Sequence, residues 1–80
     1  MTKNQSRNNK PEKTCAAKLK KIKKAITAED RKQAMAVFNK SYITITRYLG
    51  GNVANLSLGL GLLQFFHKRI QQRLDELDNL

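Results

Sequence analysis

Two residue types that commonly react near neutral pH occur once each in this 80-residue chain, Cys15 and His67. A nucleophile activated by a base needs a thiol or hydroxyl, an imidazole and a third group that orients it. With one histidine, no Ser-His-Asp or Cys-His set suggests itself. A structural zinc site takes four nitrogen or sulfur ligands and a disulfide takes two cysteines, so neither can be built within the chain. Asp75, Glu76 and Asp78 crowd the end of a charged amphipathic run and read as a solvated helix end. The expectation is a non-enzyme with no catalytic residue, no metal ligand, no cofactor and no small-molecule substrate. Cys15 reads as a small packing residue, although the five lysines that follow between positions 18 and 24 favour a lowered thiol pKa. His67, between Phe66 and Lys68-Arg69, reads as a surface or interface residue.

The chemistry that the chain does have in quantity is cationic. Lysine and arginine number 16 against six acids, for a net charge of +10, and this points to a polyanion as partner. The charge is uneven: residues 1–24 hold nine bases and one acid, so the N-terminal third is an electrostatic arm. Lys18, Lys21 and Lys24 are candidate phosphate contacts. Tyr42 and Tyr48 have the ring type that stacks on bases.

These side chains must be positioned by something. Residues 1–13 carry no apolar side chain after Met1, apart from the proline ring, and read as a disordered basic arm. Cys15, Leu19, Ile22 and Ile26 recur at helical spacing and predict a basic amphipathic helix over 14–26. Thr27 can cap a second helix, with Glu29 and Asp30 in its first turn where the helix dipole favours negative charge. That helix should run over 28–38 and stop at Asn39, a residue tolerant of left-handed backbone. Ser41 can cap a third over 41–49, ended by Gly50-Gly51. Leu63, Phe66, Ile70, Leu74 and Leu77 predict a long helix over 57–78. Gly59 and Gly61 within it mark either close backbone packing or a later helix start. Across 42–62, intrinsic preference dissents: Tyr42 to Leu49 is rich in β-branched and aromatic residues, and Gly50-Gly51-Asn52 followed by alternating leucines would suit a hairpin.

The longer pattern decides for helix. Phe38-Asn39-Lys40-Ser41-Tyr42-Ile43-Thr44-Ile45-Thr46-Arg47-Tyr48-Leu49-Gly50-Gly51 resembles the turn and recognition helix of the helix-turn-helix regulators of bacteria, phages and mobile elements, of the Cro and repressor type. It departs from them at Met35, where they favour a small residue, and at Lys40, where they often carry an apolar one. The resemblance implies a motif over about residues 29–50 in an all-α fold. Phe38 would close the first motif helix, Asn39 turn the chain, and Ile45 clamp the second helix. Tyr48 and Leu49 would lie on the buried face. Tyr42, Ile43, Thr46 and Arg47 would face DNA, with Ile43 suited to a thymine methyl and Arg47 to guanine or phosphate. Arg31 and Lys32 match positions that touch the DNA backbone.

The expected organisation is therefore a disordered arm over 1–13 and a helix-turn-helix domain over 14–80. So short a chain has a small core, and the stripe Leu63, Phe66, Ile70, Leu74 and Leu77 is the expected interface of a homodimer, which would present two heads to a palindromic site with half-sites about 34 Å apart. The stripe can instead fold back onto Leu19, Ile22 and Ile26 and give a compact monomer. The expected function is sequence-specific binding of double-stranded DNA, as a small transcriptional regulator. The competing readings are a packaging protein that coats nucleic acid without reading bases and a basic peptide on a membrane surface. No signal peptide is visible in the polar N-terminus, and Val53 to Phe66 is too short and too interrupted to span a bilayer, so the cytoplasm, on the nucleoid when bound, is the expected location.

Overall fold

The computed structural model describes residues 11–79, and these form four α-helices and a short 3-10 turn, with no strand among them. Helix α1 spans Pro11–Ile22 and continues into the 3-10 turn Lys23–Ala25; α2 spans Ala28–Phe38, α3 Tyr42–Leu49 and α4 Leu56–Asp78. The hairpin alternative for 42–62 is thereby overturned. Residues 1–10 of the expected arm lie outside the described residues. Pro11, Glu12 and Lys13, expected in that arm, instead form the first turn of α1. The reason is local: proline suits the opening position of a helix, where its fixed φ is already helical and its missing N–H has no partner to lose, and Glu12 meets the positive end of the dipole. At the other end α1 is shorter than expected, since Ile26 is extended at φ −88°, ψ 132°.

Each later boundary has a visible cause. Thr27 Oγ1 accepts from the Asp30 amide at 3.1 Å and Asp30 Oδ2 accepts from the Thr27 amide at 3.0 Å, a reciprocal cap that starts α2. Asn39 closes it in the left-handed conformation, φ 55°, ψ 50°. Ser41 Oγ accepts from the Thr44 amide to begin α3, and Asn55 Oδ1 accepts from the Leu58 amide to begin α4. Between them Gly51 takes φ +96°, a value that costs a side-chain-bearing residue heavily.

The core lies where α4 packs against α1 and α2, with α3 packed on those same two helices. Cys15, Leu19, Ala34, Ile45, Tyr48, Leu49, Leu62 and Phe66 are buried there. Tyr48 keeps its hydroxyl satisfied by accepting from the Asn55 amide at 2.8 Å. The two α4 glycines are close-packing positions, not a delayed helix start. A Cβ at Gly59 would lie 2.7 Å from Val53 Cγ1 and 3.1 Å from Cys15 Sγ, and one at Gly61 would lie 2.9 Å from the Phe38 ring. The fold thus takes α1 against α4, the arrangement expected of the compact monomer, for the first half of the stripe.

Candidate nucleic-acid interface

Helix α3 owes its orientation to three anchors. Ile45 and Leu49 are fully buried and Tyr48 nearly so, and these positions share one face of an eight-residue helix. The opposite face, with Ile43 60% exposed and Arg47 exposed as well, is left to solvent; Tyr42 shares the side of Ile45 and Leu49 but stands 53% exposed because it opens the helix beyond the core. A half-bare isoleucine on a helix that buries its other side so completely is apolar surface held outward by the packing.

Thr46 departs from the expectation. It is half-buried, and its Oγ1 is enclosed without a hydrogen-bond partner, so the hydroxyl faces the protein rather than the outer surface. Its place one position after the Ile45 anchor puts it at the edge of the buried face.

Arg31 and Lys32 come from the first turns of α2 and meet the start of α3. Arg31 donates from its guanidinium to Tyr42 Oη at 3.0 Å and stacks over the Tyr42 ring at 5.7 Å from its centre. With Lys32, Met35 and Ile26 they line a shallow cleft. The pairing fixes the tyrosine and leaves other guanidinium N–H groups free to meet an anion. At the turn, Ser41 Oγ and Thr44 Oγ1 lie 3.1 Å apart, adding two hydroxyls beside Ile43.

The α1 lysines are placed elsewhere. Lys18, Lys21 and Lys24 are exposed, but Lys18 and Lys21 border a groove between α1 and α4 with Ile22, Leu63, Gln64 and His67, apart from the cleft at Tyr42. Cys15 is 2% exposed and burial pushes its thiol pKa up, the reverse of what the neighbouring lysines suggested, because those lysines point to solvent and the sulfur faces α4. His67 is exposed.

The expected dimer stripe divides. Phe66 is fully buried in the core and is removed from the interface assignment, since the chain's own core already covers it. Leu63 and Ile70 are half-buried, while Leu74 and Leu77 are 49% and 64% exposed.

Asp30 is the residue whose role the sequence concealed. Beyond its part in the α2 cap it is completely buried, and its carboxylate accepts from Arg69 Nε at 2.7 Å and from both terminal nitrogens of Arg73 at 2.9 Å. Arg73 also donates to the Ala25 carbonyl at 2.8 Å. Burial alone would raise the carboxyl pKa; the hydrogen bonds from Arg73, Arg69 and the Thr27 amide outweigh it and hold the group well below the usual carboxylate range. The cluster ties α4 to the start of α2 and so sets where Arg31 and Lys32 stand. The only signal for it was the spacing of Arg69 and Arg73, four apart on one helical face.

Comparison with known proteins found no family model, curated protein or solved structure that matches this chain. Among the described residues no helix is long and apolar enough to cross a membrane.

Proposed function

We propose that this chain is a non-enzymatic, sequence-specific binder of double-stranded DNA in which α2 and α3 act as a helix-turn-helix and α3 is the reading helix. The observation that carries this reading is the outward face of α3, where Ile43 and Arg47 stand exposed on a helix locked from behind by Ile45, Tyr48 and Leu49, with Tyr42 exposed at its first turn. Ile43 offers an apolar contact for a thymine methyl and Arg47 a planar donor for guanine. Arg31, held against Tyr42, and Lys32 beside it would hold the DNA phosphates in this reading. In this reading the protein is a small transcriptional regulator of the phage or mobile-element kind, working in the cytoplasm on the nucleoid.

Selection of bound sites from a random DNA pool tests it, followed by affinities of Arg47→Ala and Ile43→Ala. Each variant is expected to lose about 1–3 kcal/mol on the selected site and to relax the choice of base at one position, with little loss on unrelated DNA. One observation favours a second reading, nonspecific coating: Lys13, Lys18, Lys20, Lys21, Lys23 and Lys24 are all exposed along α1 and the turn after it. Under coating, selection returns no consensus and Arg47→Ala weakens every sequence alike.

A further inference from the structure

The burial pattern of α4 exposes a second periodicity that differs from the stripe read off the sequence. Its inner face is Gly59, Leu62 and Phe66, all buried. The flank beside it, which borders the groove with α1 at its N-terminal end, carries Leu60, Leu63, His67, Ile70, Leu74 and Leu77, at successive spacings of three, four, three, four and three. That is an unbroken two-in-seven repeat, the seam of a coiled coil, apolar at every position but His67. None of the six is fully buried: Leu60, Leu74 and Leu77 are 41%, 49% and 64% exposed, His67 is exposed, and Leu63 and Ile70 are half-buried.

We propose that this seam is the interface of an antiparallel homodimer of α4 helices. The repeat is its own complement when reversed. Turned about the point between Lys68 and Arg69, Leu60 falls opposite Leu77 of the second copy, Leu63 opposite Leu74, and His67 opposite Ile70, so no seam position lacks a partner. A parallel pairing would place His67 on His67 and the acidic ends together. The antiparallel one brings Asp75, Glu76 and Asp78 of one copy level with the groove of the other, where Lys18 and Lys21 border Leu63 and His67. A chain cannot satisfy its own groove in this way, because Leu63 and Leu77 are held about 21 Å apart along one continuous helix. The interface is also closed by a twofold axis, so assembly stops at two. The proposal does not depend on DNA binding.

Sedimentation equilibrium of the full chain across micromolar concentrations is expected to show a dimer. Leu74→Glu, at an exposed position, should raise the dissociation constant roughly a hundredfold or more, since each dimer receives two buried charges, with the helical circular dichroism retained. Orientation is read by oxidising a mixture of two chains, one carrying Leu60→Cys and the other Leu77→Cys: the mixed covalent dimer should form in preference to either like pair. A monomeric wild type overturns the proposal, whether or not it sediments with anionic vesicles. So does a Leu74→Glu chain that dimerises as well as the wild type. Like-with-like cross-linking at Leu60→Cys overturns the antiparallel arrangement.

Discussion

Asp30 concentrates more of the structure than any other side chain. It caps α2, pairs with two arginines of α4 and is sealed from water, with 1% of its side chain exposed. Surface ion pairs contribute little, but here the buried carboxylate accepts charge-assisted hydrogen bonds from two arginines that keep 31% and 37% of their side chains exposed, so its loss removes those bonds while the guanidiniums retain part of their hydration. Asp30→Asn is expected to destabilise the fold by about 2 kcal/mol at neutral pH, measured by urea unfolding. The pH dependence follows from the direction of the shift. The folded-state pKa lies below the unfolded value, so the stabilisation is complete above the unfolded carboxylate pKa of about 3.9 and is lost as pH falls from there through the folded value. The gap in stability between wild type and Asp30→Asn should therefore be constant from about pH 7 down to about pH 5 and close below about pH 4. A gap that persisted unchanged at pH 2.5 would show that the carboxylate charge is not what stabilises the cluster.

At the scale of the element, α3 and α4 show tertiary contacts overriding intrinsic preference. Tyr-Ile-Thr-Ile-Thr-Arg-Tyr-Leu has the composition of a strand, yet it is helical because that geometry alone sets Ile45, Tyr48 and Leu49 into the core from a single side, with Ser41 capping one end and the glycines closing the other. In α4 the glycines trade helix propensity for approach distance. An alanine would favour the isolated helix by about 1 kcal/mol at either site. At Gly59 the new methyl would meet both Val53 and the buried Cys15 sulfur, which cannot withdraw. Gly59→Ala should therefore lower stability by about 1–2 kcal/mol net. At Gly61 the obstacle is the edge of the half-buried Phe38 ring, which can turn aside, and Gly61→Ala should be near neutral. Thermal melts of the two variants check the ordering, and equal losses would contradict this account of the packing.

On the scale of the whole molecule, a net charge of +10 on 9.1 kDa makes salt the main control of any complex with DNA. Each phosphate contact releases counterions and contributes about −0.9 to the log-log slope of affinity against salt. Residues 1–10 contribute three cations, Lys3, Arg7 and Lys10. Deleting them, while leaving Pro11 to start α1, should weaken binding by a similar factor on all sequences and flatten the slope by up to about 2.7. Fluorescence anisotropy titrations over a range of salt concentrations give the slope directly. An unchanged slope would remove the N-terminal segment from the DNA interface.

What the sequence determined by itself was largely what is local. Thr27, Asn39, Ser41 and Gly51 satisfy or release backbone groups within a few residues of themselves, so their types mark the ends of α2 and α3 without knowledge of the fold, and the apolar spacing of the last segment marks α4. The outward placement of Ile43 and Arg47 was legible for the same reason, since helical geometry separates them from Ile45 and Leu49; Tyr42 shares their side and is exposed because it stands at the start of the helix. Three things waited for the tertiary structure. Phe66 and His67 are neighbours on α4, and only the direction from which α1 and α2 approach decides that Phe66 enters the core and His67 stays exposed. Cys15 was surrounded by lysines in sequence but by Gly59 in space, and its pKa moved accordingly. Asp30 meets Arg69 and Arg73 across 39 and 43 residues, a separation over which spacing carries no information, because the chain path between them is set by the packing of the whole core.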